Sequence, residues 1–284
     1  MELEIIRADP AGNITVFVLN PVAGREKRAG LAGALMADPL LKAEQVGFVL
    51  PPADGGGLWR LEMTGGEFCG NAARSFGLYA AGQTGITGRH SVPVEISGAP
   101  RPLPVLVDTT AGTAELAMPG PLAETSVECG GRLFPVYVFD GISHAIAEDI
   151  RPDENLIRSL RESLDAHPPV TAGHSTDACH PLDALGVMFY DSGRRFMRPL
   201  VWVRATGTTV FESSCGSGSA ALGVWLARNV RDGGETTALA QPGGTIEVRV
   251  LKREGIVQRI SIGGKVSLSA PILWCGNRQA DCTQ

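Results

Sequence analysis

The sequence predicts a mixed α/β (α+β) protein made of two similar, pseudo-symmetric domains. Short β-rich runs are punctuated by 36 glycines and 19 prolines, and only four stretches look helical. A cysteine-glycine pair at the mouth of a helix also occurs twice, in EFCGNAARSF (67–76) and SSCGSGSAAL (213–222).

In the first half the strand candidates are LEIIRA, NITVFVLN, QVGFVL, WRLEMTG, VPVEIS, LPVLVD and TAELAMP. LFPVYVFD, HAIAED, LGVMFYD, FMRPLVWVR, TIEVRVL, QRISIGG and KVSLSA continue the series in the second. Helices are expected at about 25–41, 70–82, 153–166 and 216–229. Each half thus holds one long helix, one helix that starts just after a Cys-Gly pair, and six or seven strands. Aligning Cys69 with Cys215 also matches Gly70 with Gly216 and Gly77 with Gly223, the mark of a decayed internal duplication. The Pro-, Gly- and Ser-containing stretch 118–131 reads as the boundary. The expected domains are 1–121 and 122–267, with a C-terminal strand in 268–284 returning to the first.

Composition narrows the function. A net charge of −5 from 25 basic and 30 acidic residues, spread without a block, argues against nucleic-acid and membrane-surface partners. No charged leader precedes an apolar core, and no run reaches the roughly 18 apolar residues of a membrane span, so a cytoplasmic location is expected. In that setting the six cysteines are thiols rather than disulfides. HSTDACH (174–180) has no ordinary zinc spacing and reads as a loop, so no metal is expected. ADGGGL and QPGGT read as turns. Cys129, Cys179, Cys275 and Cys282 lack a helix start or a neighbouring histidine and read as bystanders.

A thiol at a helix N-terminus feels the positive end of the macrodipole and unpaired N–H groups, which is expected to lower its pKa. Beside it, the backbone amides of Gly70, Asn71, Gly216 and Ser217 can cradle an anionic group such as a carboxylate. Two such loops in mirrored halves suit one reaction in particular. A chiral carbon is inverted when one thiolate removes its proton from one face and a thiol returns a proton to the other.

The motifs GNITVF, EQVGF, GGEFCGNAARSF, ISHAI, ESSCGSGSAALG, QPGGTIEV and ISIGGKVS, in this order, resemble the PLP-independent amino-acid racemases and epimerases of the diaminopimelate epimerase type. Within that family the wording is most similar to the histidine racemases of staphylopine-type opine metallophore biosynthesis. The resemblance implies two domains, each a β-barrel-like sheet around a central helix, with the site in the cleft between them. It implies Cys69 and Cys215 as the acid/base pair, Asn13 and Gln45 lining the site, and Asn71 and Ser217 as backbone donors to the α-carboxylate. It also matches His144, in ISHAI, to the histidine of the epimerases' GNPH segment, for which the plain structural role is bracing a loop through a hydrogen bond. No cofactor is implied, the partner is a small-molecule amino acid, and a homodimer is left open.

Departures from the diaminopimelate pattern point to another side chain. The family's arginine before the second cysteine and its asparagine before the histidine are missing from VRATGTTVFESSCG and GISH. A distal carboxylate would then be poorly paired in a closed cleft. Glu44 and Glu212 become candidates for a basic or imidazole-bearing group or the amino group. The reading is a histidine racemase. Diaminopimelate epimerase, a proline-type racemase, a double-bond isomerase enlisting Arg74, Arg204 and Lys265, and an inactive binding protein on the same fold stand as alternatives.

Overall fold

The computed structural model describes residues 2–53, 59–167 and 182–276. Two compact units emerge: residues up to Leu116 together with those from Gly263 onward, and Ala117–Ile262.

The first unit begins with β1 (Glu2–Asp9), β2 (Thr15–Val18), α1 (Arg25–Ala37), β3 (Gln45–Leu50) and β4 (Arg60–Met63). It continues with α2 (Gly70–Gln83), β5 (Arg89–Ile96), β6 (Leu103–Asp108) and the beginning of β7 (Thr113–Met118). Strand β1 pairs antiparallel with β2, α1 crosses over to a parallel β3, and β4 is antiparallel to β3. After α2 crosses over, β5 runs parallel to β4, with β6 and β7 following antiparallel.

The second unit repeats this order. A hairpin of β8 (Ala123–Cys129) and β9 (Arg132–Phe139) leads to β10 (Ile142–Glu148), α3 (Glu154–Ala166), β11 (Ala184–Asp191), β12 (Phe196–Val203) and β13 (Thr208–Phe211). Then come α4 (Gly216–Leu226), β14 (Gly233–Gln241), β15 (Gly244–Arg253) and β16 (Ile256–Lys265), whose last residues belong to the first unit. Its pairings are again antiparallel β9–β10, parallel β10–β11 across α3, antiparallel β11–β12, parallel β12–β14 across α4, and antiparallel β14–β15. Finally β17 (Ser267–Leu268) and β18 (Ile272–Cys275) pair with β1.

The helices fall into two kinds. α1 and α3 bury only a stripe, Leu31, Ala32 and Leu35 in one and Ile157, Leu160 and Leu164 in the other. α2 is buried from Gly70 through Ala81, and α4 over Gly216 and Gly218–Trp225. Glycine makes this close seating work. A Cβ on Gly77 would lie 2.5 Å from Val105 Cβ in β6, and one on Gly223 would strike Val248 Cγ1 in β15. The matched glycines therefore do the same job in both units: each lets the central helix lie directly on a valine of the sheet.

Several expectations need correction. α1 stops at Ala37 because Asp38 precedes Pro39, is extended (φ −77°, ψ 111°), and returns its N–H to Leu35 O. α4 ends at Leu226 and tightens into a 3₁₀ turn, Ala227–Asn229. The stretch 118–131 also holds a strand that was not expected, β8, closed onto β9 by Gly130 and Gly131 with φ of 59° and 74°. β13 and β14 were not expected either. HSTDACH with Cys179, the glycines of ADGGGL and Cys282 lie outside the described residues. No helix among the described residues is long and apolar enough to cross a membrane.

Adding a methyl group at Gly77 or Gly223 should overpack the seam. Gly77→Ala and Gly223→Ala are expected to destabilise their units by about 1–3 kcal/mol, despite alanine's better helix propensity. Urea denaturation checks this, and Val105→Ala combined with Gly77→Ala should cost less than the two single changes summed.

Candidate active site

Each central helix is capped by its cysteine. Cys69 (φ −126°, ψ 113°) and Cys215 (φ −125°, ψ 117°) adopt the same extended backbone, and each sulfur accepts the N–H three residues on: Ala72 at 3.5 Å and Gly218 at 3.4 Å. A helix buried over its first turns has no water to take these amides, so the cap must come from the chain.

In the first unit the sulfur sits among donors. Asn71 N–H and the Gln45 side chain also reach Cys69. Asn13 follows a turn in which Ala11 and Gly12 both have positive φ, and it is 5 % exposed. Its Oδ1 accepts from Gln45 Nε2 and, at 3.2 Å, from Asn71 Nδ2, while its Nδ2 donates to Glu44 Oε2 at 2.7 Å. Glu44 and Gln45 are held at the start of β3 by Ile14 O. Asn13, Glu44, Gln45, Cys69 and Asn71 thus form one connected cluster, with the amide of Gly70 at the helix start and Glu44 at the exposed end.

In the second unit Cys215 is 7 % exposed. Gln241 Oε1 accepts its N–H at 2.9 Å, Gln241 Nε2 donates to Ser219 Oγ, and Ser219 Oγ donates to Cys215 O. Ser217 Oγ lies 3.7 Å from the sulfur and 2.9 Å from His144 Nε2. His144 is fully buried over Gly186, where a Cβ would collide with its Nδ1, and that nitrogen has no partner among the described residues. A buried lone pair costs less than a buried N–H, so Nε2 carries the proton and donates to Ser217, leaving the serine hydroxyl for the sulfur. Glu212 accepts from the Cys215 thiol beside the start of α4 and Gly216.

Burial decides the electrostatics. Desolvation pushes the Cys69 thiol up, against the lowering effect of its donors, with a small addition from the Glu67 carboxylate. It pushes Cys215 up further, with the Glu212 carboxylate adding to the rise. This overturns the expectation of depressed thiols. Part of the first-turn N–H supply is also spent on the sulfurs, so Asn71 N–H is not reserved for a carboxylate. Burial likewise lowers His144 to about 3, so the ring stays neutral.

The sequence reading missed Gln241 and Ser219, although Gln241 stands in the quoted QPGGTIEV, ahead of the turn joining β14 to β15. Arg74 was noted only as a cleft cation. It is fully buried and bonded to carbonyls and to Asn71. Arg204 pairs with Asp165 near the surface.

The fold is shared with solved structures of unlike activity: the hydroxyproline epimerase of Agrobacterium vitis, solved with bound trans-4-hydroxy-L-proline, is similar with a TM-score of 0.62, at 14% identity, over 96% of this chain and 92% of that one, and the phenazine biosynthesis protein (PhzF family) of Bacillus anthracis with a TM-score of 0.63, at 13% identity, over 97% and 99%. The family described as histidine racemase CntK N-terminal domain matches residues 2–271, and the chain belongs to it. A histidine racemase of Fusobacterium nucleatum subsp. nucleatum (strain ATCC 25586) is 30% identical over 252 residues, covering 86% of this chain and 88% of its own. One from Staphylococcus aureus (strain Mu50) is 25% identical over 270 residues, covering 94% and 96%. The protein is an isomerase.

His144 predicts an acid sensitivity. Its folded pKa lies below the unfolded value near 6.5, so the unfolded chain binds the proton first and stability falls as pH drops from about 6.5 toward 3. Between pH 7 and 5 the wild type should lose about 2 kcal/mol through this group, at about 1.4 kcal/mol per unit below 6.5. His144→Gln should lack that increment in urea titrations at the two pH values.

Proposed function

We propose that the protein is a cofactor-independent histidine racemase in which Cys69 and Cys215 are the two acid/base groups. The observation that carries this is the same cysteine cap on both central helices, set in unlike surroundings within a histidine racemase family chain. Cys69 accepts from two backbone amides and Gln45, which outnumber the single opposing charge of Glu67 and suit a thiolate. Cys215 lies beside a carboxylate, which suits a thiol. A two-base cycle needs one of each at rest.

In the forward step the Cys69 thiolate takes the α-proton. The S–H bond forms, the Cα–H bond breaks, and the electron pair moves into the substrate carboxylate as an enediolate. First-turn amides at Gly70, Gly216 and Ser217 stabilise the added charge. Cys215 S–H then delivers its proton to the opposite face, leaving a Cys215 thiolate and an inverted carbon. Burial helps here in a way a depressed pKa would not: a thiolate with a raised pKa is a stronger base toward a weakly acidic Cα–H. The substrate α-ammonium beside the sulfur favours its ionisation.

Glu44 recognises the imidazole. Asn13 engages its Oε2, so an imidazole N–H would be met at Oε1 on the exposed side of the cluster. Glu212 takes the amino group. The product, D-histidine, would serve opine metallophore synthesis, and the protein would work in the cytoplasm.

The test is proton NMR in deuterated water with L-histidine, followed by chiral chromatography. Loss of the α-proton signal and appearance of D-histidine are expected, and Cys69→Ser or Cys215→Ser should each slow racemisation by about 10²–10⁴-fold. Exchange with diaminopimelate alone would overturn the side-chain assignment, and full activity in both serine variants would overturn the mechanism.

The pH dependence follows in sign from the raised thiols. Because the base is a thiolate whose pKa burial raises, kcat/KM should climb with pH through and above the ordinary thiol value near 8.5. No inflection near pH 6.5 should come from His144, and the profile of His144→Gln should keep the wild-type limb.

A further inference from the structure

The Asn71, Asn13 and Gln45 side chains are amides, and an amide can present either its oxygen or its nitrogen to a neighbour. What fixes their direction stands at the two ends of the chain they form. Glu44 at one end can only accept, so it draws Asn13 Nδ2. Arg74 at the other can only donate. Its Nε donates to Asn71 Oδ1 at 3.2 Å, which turns Asn71 Nδ2 toward Asn13 Oδ1. With Oδ1 of Asn13 facing inward, Gln45 must present Nε2 to it, and the same amide reaches the Cys69 sulfur as a donor. If the chain were reversed, Gln45 would turn its carbonyl toward Asn13 and its N–H group would be lost to the sulfur.

We propose that Arg74 is a positioning residue for Cys69: its guanidinium, acting with Glu44 at the opposite end, fixes the direction of the Asn71–Asn13–Glu44 chain, so that the Gln45 amide donates to the sulfur. The proposal rests on Cys69 acting as a base. Arg74 is fully buried with no carboxylate among its described partners, and its other donors go to Pro10 O at 3.1 Å and to Gly264 O and Lys265 O at 3.3 Å. A buried charge bonded only to neutral oxygens is costly for stability alone. Burial brings the guanidinium down to about 10, which leaves it protonated at neutral pH, and a charged Cys69 pulls it back up. The architecture does not require it either: in the alignment that matches Cys69 with Cys215, the α4 residue at the place of Arg74 is Ala220, fully buried.

The test uses the full chain without any amino acid. Alkylation of Cys69 and Cys215 by iodoacetamide, read peptide by peptide by mass spectrometry across the thiol titration range, gives a separate pH profile for each sulfur. In Arg74→Met the Cys69 profile should move up by about one unit, about tenfold less thiolate at a given pH, while the Cys215 profile stays on that of the wild type. Arg74→Lys keeps a cation but not the planar donor fork, and should fall between the two. An unchanged Cys69 profile in folded Arg74→Met, or equal movement of both profiles, would overturn the proposal. Where Arg74→Met does not fold, Arg74→Lys decides alone: movement confined to Cys69 supports the role and no movement removes it. Since no histidine is present, failure of the chain to racemise histidine leaves this result independent.

Discussion

A helix buried through its first turns must have its leading N–H groups satisfied by the chain itself, and in both units of this protein a cysteine sulfur does it. That single requirement places the thiols. Sulfur is a weak acceptor, so the contact adds little stability, but it holds the side chain in one orientation at the tip of a rigid element. Gly77 and Gly223 set how deeply each helix lies on its sheet and hence where each cap stands. A sulfur carried on a loop would not be positioned so reproducibly as the nearly identical backbone angles of Cys69 and Cys215 show.

The architecture is repeated, while the polar surroundings are not. Around Cys69 the hydrogen bonds come from donors, two backbone amides and Gln45, itself oriented by Asn13, and the Glu67 charge acts against them without bonding the sulfur. Around Cys215 a hydroxyl and an amide are opposed by the Glu212 carboxylate, which accepts the thiol proton. In a buried setting such differences weigh more than they would in water, because few solvent dipoles remain to screen them. The two units repeat the sulfur cap, and the unlike neighbours leave the Cys215 thiol raised further than that of Cys69.

Burial also reverses the simplest electrostatic expectation. The end of a helix carries a partial charge of about one half, whereas taking a thiolate out of water removes the solvation of a full charge. The second effect is the larger for both thiols. His144 obeys the same rule from the other side, staying neutral because burial strips an imidazolium of its solvation. Its neutrality is what lets it act as a plain donor to Ser217.

Local chemistry was legible in the sequence. All four helices, the two Cys-Gly helix mouths and the matched glycines could be read because helix starts, apolar periodicity and turn glycines are written within a few residues. β8, β13 and β14 were not legible: AETSVEC, TTVF and GGETTALAQ are polar or glycine-bearing runs that become strands because a neighbouring strand takes their hydrogen bonds. The same limit applies at the site. Cys69, Cys215, Asn13, Gln45 and Asn71 could be named from motifs, but Arg74 meets carbonyls 190 residues away, His144 reaches Ser217 over 73, and Gln241 holds Cys215 over 26. The sequence by itself determined which residues could be caps, bases and donors, since those are properties of the side chains. Tertiary structure alone decided which way the thiol pKa values move and which amide faces which sulfur, because burial and hydrogen-bond direction depend on neighbours that only the fold brings together.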